Sequence, residues 1–439
     1  MINLASISTR LYNKKLYNAI KEAQSIQYKS KSEIEAIQQR KFKKLIDHAK
    51  LNVPYYKDKL RDVETIEDLK KVDFLTKDLI RQHTDALKAK NIETTRFISN
   101  STSGSTGENM HFFSDIENFY LKAVNIRADE WAGLSYGSKA IYLWGAERDI
   151  DKNKSLYLKF KHRFIVKNKI LSAYYMSDDD LIKYINIYNH YEPKVVISYP
   201  TPLYRFADYV EKHGVKIWKP KGLITSAETL FPFQREKIEQ VFHTKIFNRY
   251  GCREVGHIAS ECEKHEGLHI NNDRFVVEIV DANGNLCKPG ELGEIVITDL
   301  DNVVFPLIRY KIGDLGALSE KECTCVRGLP MLEKVEGRVF DLIIGANGNF
   351  VAGTFWTLLR NKIDGFKKFQ VIQEELTKIN ILVEDNEQIK EDFDTLLTSF
   401  VKEKLGKETI VAIEKVDTIP LTKSGKHRWI ISKISPYAK

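Results

Sequence analysis

An α/β fold in two unequal parts is what this sequence predicts. The larger part carries mixed and parallel sheets flanked by helices, plus an antiparallel region, and a small α+β part follows it. Two patterns carry that prediction. Between Phe97 and Tyr250, short β-rich runs alternate with longer helical patterns, the mark of βαβ units and a mostly parallel sheet. From Phe275 onward the helices disappear, and strand-length runs separated by turns such as Asn283-Gly284 read as antiparallel hairpins. The length, 439 residues, is more than one ordinary core accommodates.

The elements follow in order. Residues 1–90 read mainly as helix, and the pattern from Ile34 to Leu51 ends before Pro54, which stops it. Ala140 to Trp144 reads as a strand and Asp178 to Tyr191 as a helix, with Leu181, Ile182, Ile185 and Tyr188 on one face. Strand Val195–Ser198, helix Tyr204–His213, strand Gly222–Thr225, helix Phe231–Phe242 and strand Lys245–Tyr250 continue the alternation. Residues 270–338 form the antiparallel region, with strands at Phe275–Val280 and Gly293–Thr298. The small part spans 339–439, with strands at Ile379–Val383 and Thr409–Ile413 and a helix from Asn386 to Leu405.

Bulk properties exclude several classes. Hydrophobic residues make up 43% and charged residues 29%, a globular rather than a disordered profile. The formal net charge of +8 is spread along the chain, without a basic block or a nucleic-acid-binding motif, and suits anionic small substrates. The opening residues Met1 to Ser6 lack a signal-peptide pattern, and no apolar run reaches the length of a membrane span. Five cysteines, an odd and small number, argue against a disulfide framework, so a cytoplasmic location is expected.

The most informative short segment is Ser101-Thr102-Ser103-Gly104-Ser105-Thr106-Gly107, seven consecutive residues that are all Ser, Thr or Gly. Such a loop exposes backbone N–H groups and hydroxyls, the donors that cradle phosphate oxygens. It is not a Walker loop, because no Gly-Lys-Ser/Thr follows. A surface linker has the same composition, but the apolar runs Phe97-Ile98 and Met110 to Phe113 on either side argue against one.

The segment Thr102 to Gly107 resembles the phosphate loop of the adenylate-forming superfamily, which includes acyl-CoA synthetases, luciferases and peptide-synthetase adenylation domains. More narrowly, the chain resembles the phenylacetate–CoA ligase group and its capsular-polysaccharide CapK relatives. Five further segments stand in that family's order. The resemblance implies that Ser226, Ala227 and Glu228 line an adenine pocket. In Tyr250-Gly251-Cys252-Arg253-Glu254 it implies a tyrosine packed on adenine and a glutamate holding Mg²⁺. In the run from Phe305 to Asp314, Arg309 belongs to the nucleotide site, and Asp314 accepts the ribose hydroxyls through an ionised carboxylate. Gly337-Arg338-Val339-Phe340-Asp341 resembles the hinge, with Arg338 near the nucleotide and Asp341 as pivot; Lys426, after Ser424-Gly425, matches the catalytic lysine.

Two departures stand out. Glu108-Asn109 follow Gly107 where the family usually has Pro and often Lys, and Phe340 replaces the first of two hinge aspartates. The resemblance implies ATP, Mg²⁺ and a small-molecule carboxylate, with CoA as acceptor and a thioester and AMP as products. The CapK relatives point instead to an amine or hydroxyl acceptor of a cell-surface polysaccharide precursor. A non-catalytic nucleotide-binding relative is a third reading, against which stands retention of Glu254, Asp314, Arg338 and Lys426 together. The acid pocket is expected at Tyr136-Gly137, Trp144 to Ala146 and Ser198 to Pro202, where aromatic side chains suit an apolar or aryl acid. The oligomeric state, a homodimer included, is left open.

Cys262 and His265, joined to Cys323 and Cys325, would supply the four N/S ligands that structural zinc prefers, an arrangement the narrower group also carries. His257 and His269 are alternatives to His265, and scattered buried thiols are the competing reading. Cys252 reads as a small pocket residue and Cys287 as an ordinary cysteine.

Overall fold

A computed structural model describes residues 13–102, 110–135, 137–144, 167–173, 176–338, 343–345, 350–351, 366–385, 392–420 and 428–434. Its first helices are α1 (Lys14–Ile26), α2 (Lys31–Asn52) and α3 (Lys77–Gln82). The start of α2 is fixed by a capping box in which Ser30 and Glu33 satisfy each other's backbone N–H groups, and Pro54 follows its end. Its buried face, Phe42, Leu45, Ile46 and Ala49, enters the largest core.

Strands β1 (Phe97–Thr102) and β2 (Met110–Asp115) form an antiparallel hairpin, closed by the pair Thr102 and Met110. Then come α4 (Phe119–Trp131), β3 (Ala140–Trp144), β4 (Asn168–Ser172), α5 (Asp178–Tyr191), β5 (Val195–Ser198), α6 (Pro200–Lys212), β6 (Gly222–Thr225), α7 (Pro232–Phe242) and β7 (Ile246–Cys252). The predicted alternation is therefore present, with α6 beginning earlier than expected because Pro200 suits a first helical turn.

Strands β8 (Gly256–Glu261), β9 (Leu268–Ile270), β10 (Phe275–Val280), β11 (Gly293–Asp299), β12 (Tyr310–Leu318) and β13 (Met331–Arg338) complete one 11-stranded sheet. Its order is β10-β11-β12-β13-β9-β8-β7-β6-β5-β3-β4. Strands β4, β3, β5, β6 and β7 run parallel to their neighbours, and every pairing from β7 to β10 is antiparallel. The expected antiparallel region is thus continuous with the parallel one, and β7 belongs to both.

Buried ion pairs pin this sheet to the helices. Arg127 on α4 forms a fork with Asp273, at 2.8 and 2.9 Å, and also donates to Asn271 and Ala23. Tyr120 donates to the same carboxylate. Arg274 pairs with Asp299 at 2.7 Å. Every member of these pairs is almost fully buried, which is tolerated because each charge faces an opposite one.

The C-terminal residues form short strands β14 (Ile343–Ile344) and β15 (Phe350–Val351), then β16 (Phe366–Glu375), β17 (Lys378–Asp385), α8 (Phe393–Leu405), β18 (Ile410–Val416) and β19 (Ile430–Ser432). Strands β18-β17-β16-β19 make a separate four-stranded sheet. Its core, Phe369, Val371, Ile379, Ile381, Phe393, Leu397 and neighbours, is a cluster of its own. Among the described residues no helix is long and apolar enough to cross a membrane.

Candidate active site

The parallel strands deliver Trp144, Ser172, Ser198, Thr225 and Cys252 at their carboxyl ends. Strands β4 and β5 flank β3 on opposite sides, so a topological switch point lies at Trp144, where open α/β sheets place their ligands. Trp144 packs against Tyr199 with ring centroids 4.4 Å apart. Two of the residues expected near an acid therefore meet at that crevice. Tyr136, Gly145 and Ala146 lie outside the described residues.

Ser226, Ala227 and Glu228 leave the end of β6. Ser226 N–H donates to Ser198 O at 3.2 Å, tying this turn to the neighbouring strand end. Ala227 has φ of 68°, the left-handed region that a non-glycine residue occupies at a cost of ~1–2 kcal/mol. Glu228 accepts from the N–H of Thr201, in the first turn of α6, at 3.1 Å. One strand over, Thr225 and Asn248 are bonded at 3.1 Å, which holds β6 and β7 in register.

On β7, the Tyr250 hydroxyl donates to Asp314 of β12 at 2.9 Å. Burial and the neighbouring Asp314 carboxylate raise the Tyr250 phenol well above its ordinary value, so it stays protonated as a donor. Gly251 is required there: a Cβ would lie 2.2 Å from the Gly256 carbonyl oxygen, where β7 and β8 close through a bulge. Glu254, in the turn that follows, is buried and accepts from the Tyr310 hydroxyl at 2.8 Å. Tyr310 is likewise held protonated by burial and the Glu254 carboxylate. Asp314 pairs across the strands with Arg338 at the end of β13. Residues far apart in the chain, Tyr250, Glu254, Tyr310, Asp314 and the backbone of Arg338, are thus brought together.

Arg309 departs from expectation. Its guanidinium is bonded to Glu278, at 3.2 and 3.3 Å, and to Val72 O at 2.7 Å, and lies over the Phe74 ring. These contacts place the guanidinium in the packing of β10 and β12 on the N-terminal segment rather than with Tyr250 and Asp314. Tyr310, which sequence reasoning passed over, joins Asp314 of that stretch at the site. Ser103 to Gly107, Glu108, Phe340, Asp341 and Lys426 lie outside the described residues, while Thr102 closes the hairpin beneath the loop.

A second constellation sits on the antiparallel half. The ligand atoms of Cys262, His269, Cys323 and Cys325 all lie within 4.8 Å of one another. Cys262 and Cys323 sulfurs are 3.7 Å apart, and Cys325 Sγ is 3.2 Å from His269 Nε2. His269 Nδ1 faces the Leu329 carbonyl at 2.9 Å. A carbonyl only accepts, so Nδ1 carries the proton and Nε2 presents a lone pair to the thiols. His265, the ligand favoured from spacing, instead meets Glu261 at 3.2 Å and packs on Phe247. The difference arises because β9 pairs with both β8 and β13, which turns His269 inward; His257 does not join the cluster either.

Comparison with known proteins agrees with this architecture. Residues 343–433 match the family model of the CapK C-terminal domain. The chain is 25% identical to protein CapK of Staphylococcus aureus, covering 96% of this chain and 93% of that protein. It is 23% identical to a phenylacetate-coenzyme A ligase of Thermus thermophilus over 72% of each chain. Among solved structures, 2-hydroxyisobutyryl-CoA ligase in its postadenylation state superposes with a TM-score of 0.73 at 18% identity, covering 91% of this chain and 89% of that one. The same ligase in its thioesterification state gives 0.59 at 17% identity, with 91% and 90% covered. The fold is therefore that of the adenylate-forming ligases, and CapK and the phenylacetate–CoA ligases are homologues.

Proposed function

We propose that this adenylate-forming relative of CapK and the phenylacetate–CoA ligases activates a carboxylate with ATP, releasing pyrophosphate, and then transfers the acyl group to CoA. In the first step a carboxylate oxygen attacks the α-phosphorus and the bond to pyrophosphate breaks. In the second the CoA sulfur attacks the acyl carbon and AMP leaves. The observation that carries this reading is the meeting of Tyr250, Glu254, Asp314 and the end of β13 beside the turn Ser226 to Glu228.

Each residue has a task suited to its chemistry. The Tyr250 ring would pack an edge on adenine, and its hydroxyl fixes Asp314, whose carboxylate would accept the ribose hydroxyls. The backbone N–H groups of Ser103 to Gly107 would hold phosphate oxygens. Arg338 and Lys426 supply positive charge as negative charge develops on the α-phosphate. Glu254 would hold Mg²⁺: it is a hard oxygen donor that Tyr310 orients by one bond, leaving acceptor capacity on the carboxylate. When bound, that ion neutralises phosphate charge. Zinc suits the other cluster, since three thiols and an oriented imidazole are a closed structural set.

An ATP–pyrophosphate exchange screen across apolar and aryl acids tests the first step without assuming an acceptor. Acid-dependent exchange is expected, and it should fall at least a hundredfold in Lys426→Ala, in line with losing one charge-stabilising group. Full exchange in that variant removes the lysine from the mechanism.

A second acceptor class has its own support. The CapK likeness runs along nearly the whole chain, and the C-terminal match is to the CapK domain, whereas the phenylacetate ligase likeness covers less. That favours an amine or hydroxyl of a polysaccharide precursor, giving an amide or ester and AMP. Release of AMP on adding CoA, compared with adding an amino sugar, separates the two.

A further inference from the structure

Between α4 and the β7–β8 pair lies a group of polar side chains that the mechanism above does not use. Arg249 on β7 donates to Asp129 of α4 at 3.0 Å, and only 9% of the arginine side chain is exposed. Asn125 stands one turn earlier on α4, on the same face as Asp129. Its amide nitrogen lies 3.9 Å from where a Cβ on Gly256 would sit, beside the start of β8. Arg249 pairs across the strands with Ser260, and Gly251 with His257. Arg249 and Gly251 alternate onto one face of β7, so Ser260 and His257 lie on that face too. Among the described residues, Arg249 Nε, Asn125 Oδ1, His257 Nδ1 and Ser260 Oγ are buried atoms that meet no protein partner. Buried polar atoms in folded proteins are mostly bonded, so four together mark a place that another molecule completes.

The same face of the sheet carries the crevice at Trp144 and Tyr199. Phe247, two residues before Arg249 on β7, packs with Tyr142 and Trp144 of β3 against one small core of Ala132, Ile197 and Ile224. Burial first, then the Asp129 carboxylate, push the Tyr142 phenol up to about 12, which sets that ring close to the Arg249–Asp129 pair. The chemistry of the four atoms defines what they take. Arg249 Nε only donates, Asn125 Oδ1 only accepts, and Ser260 Oγ does either. Burial, with Arg249 and Arg274 nearby, holds His257 well below its ordinary value, so the ring is neutral and Nδ1 does either according to tautomer. A second carboxylate on the ligand only accepts, so it would leave Asn125 unmet and bring a like charge to Asp129. An ammonium would fail Arg249 in the same way. A hydroxyl donates and accepts without charge, whereas hydrocarbon would satisfy none of the four.

We propose that the acid activated by this enzyme carries hydroxyl groups away from its reacting carboxylate, and that Arg249, Asn125, His257 and Ser260 receive them beneath α4. This rests on the activation reading above and narrows its acid from a hydrocarbon to a hydroxylated one. Trp144 and Tyr199 then cover the carbon skeleton, and the polar group beyond them selects its substituents.

Pyrophosphate exchange by the full-length enzyme tests this with acids matched in carbon skeleton: hexanoate, 6-hydroxyhexanoate, gluconate and adipate, and phenylacetate against 4-hydroxyphenylacetate. The best hydroxylated acid should exceed its hydrocarbon counterpart by about a hundredfold or more in kcat/KM, because a hydrocarbon leaves buried donors and acceptors unmet. Adipate should fall with hexanoate. Ser260→Ala and Asn125→Leu should each shrink the hydroxylated-to-hydrocarbon ratio about tenfold. A purely structural role would lower both acids equally, so an unchanged ratio in both variants overturns the assignment. Hydrocarbon acids equal to or better than their hydroxylated partners overturn it too, as does a preference for adipate. A crystal structure of the wild-type protein decides the site without activity. A polar channel running from Trp144 and Tyr199 to Arg249 supports the proposal, and ordered waters sealed off from that crevice overturn it. Absence of exchange with every acid counts against the activation reading, while the crystal structure still decides the polar site.

Discussion

Tyr250 shows what a single residue contributes at this site. Its ring is buried against the main core while its hydroxyl holds Asp314, so one side chain ties packing to the carboxylate proposed to bind ribose. Tyr250→Phe keeps the ring and removes the bond, which for a charged acceptor is worth about 1.5–3 kcal/mol. We expect the KM for ATP in pyrophosphate exchange to rise about tenfold with kcat little changed; an unchanged KM would separate Asp314 from ribose binding. Tyr250, Glu254 and Asp314 were legible in the sequence because each stands in a short ordered motif. Arg309 stands in the same motif, but its guanidinium bonds to Glu278 and the Val72 carbonyl, partners that no local pattern reveals. The histidine of the thiol cluster was left open in the sequence among His265, His257 and His269. Spacing in the chain favoured His265, whereas the pairing of β9 with β13 presents His269.

At the scale of elements, the thiol cluster joins the end of β8, β9 and the loop between β12 and β13, against a core that includes residues of α1. Metal analysis of purified protein should find about one zinc per chain. His269→Ala should lose that zinc and lower the melting temperature, while His265→Ala keeps both; zinc retained in the His269 variant would refute the assignment. The Trp131 ring lies 5.7 Å from His269, so its fluorescence should change on chelation. The Arg127–Asp273 pair makes a pH-dependent staple between α4 and the sheet. Burial alone would raise the Asp273 carboxyl, but the Arg127 guanidinium overrides it and holds the group below its ordinary value. A depressed carboxylate stabilises the fold above the unfolded value of about 3.9, and that contribution is lost as pH falls through the lower folded value. Asp273→Asn should therefore cost about 3–5 kcal/mol at neutral pH and flatten the acid limb of the stability curve, read from urea midpoints between pH 2 and 6. An acid limb of unchanged slope would assign that dependence elsewhere.

The whole molecule was only partly visible in its sequence. Helix and strand periodicity gave the alternating half and the antiparallel half, because each follows from local hydrophobic spacing. Their fusion into one sheet was not legible, since it depends on β7 pairing parallel with β6 on one side and antiparallel with β8 on the other. Nor was the contact of Trp429 with Phe231, because the aromatic partners lie almost two hundred residues apart. The C-terminal sheet has its own core, and intramolecular interfaces between such units are usually modest. Calorimetry should therefore show two transitions, with a van't Hoff enthalpy smaller than the calorimetric one. ATP with a carboxylate analogue should move the earlier transition upward, by about 2.7 kcal/mol of stability at a hundredfold excess over Kd. Trp429→Ala should move it downward and leave the later one in place. A single two-state transition in both proteins would mean that the sheets unfold as one body.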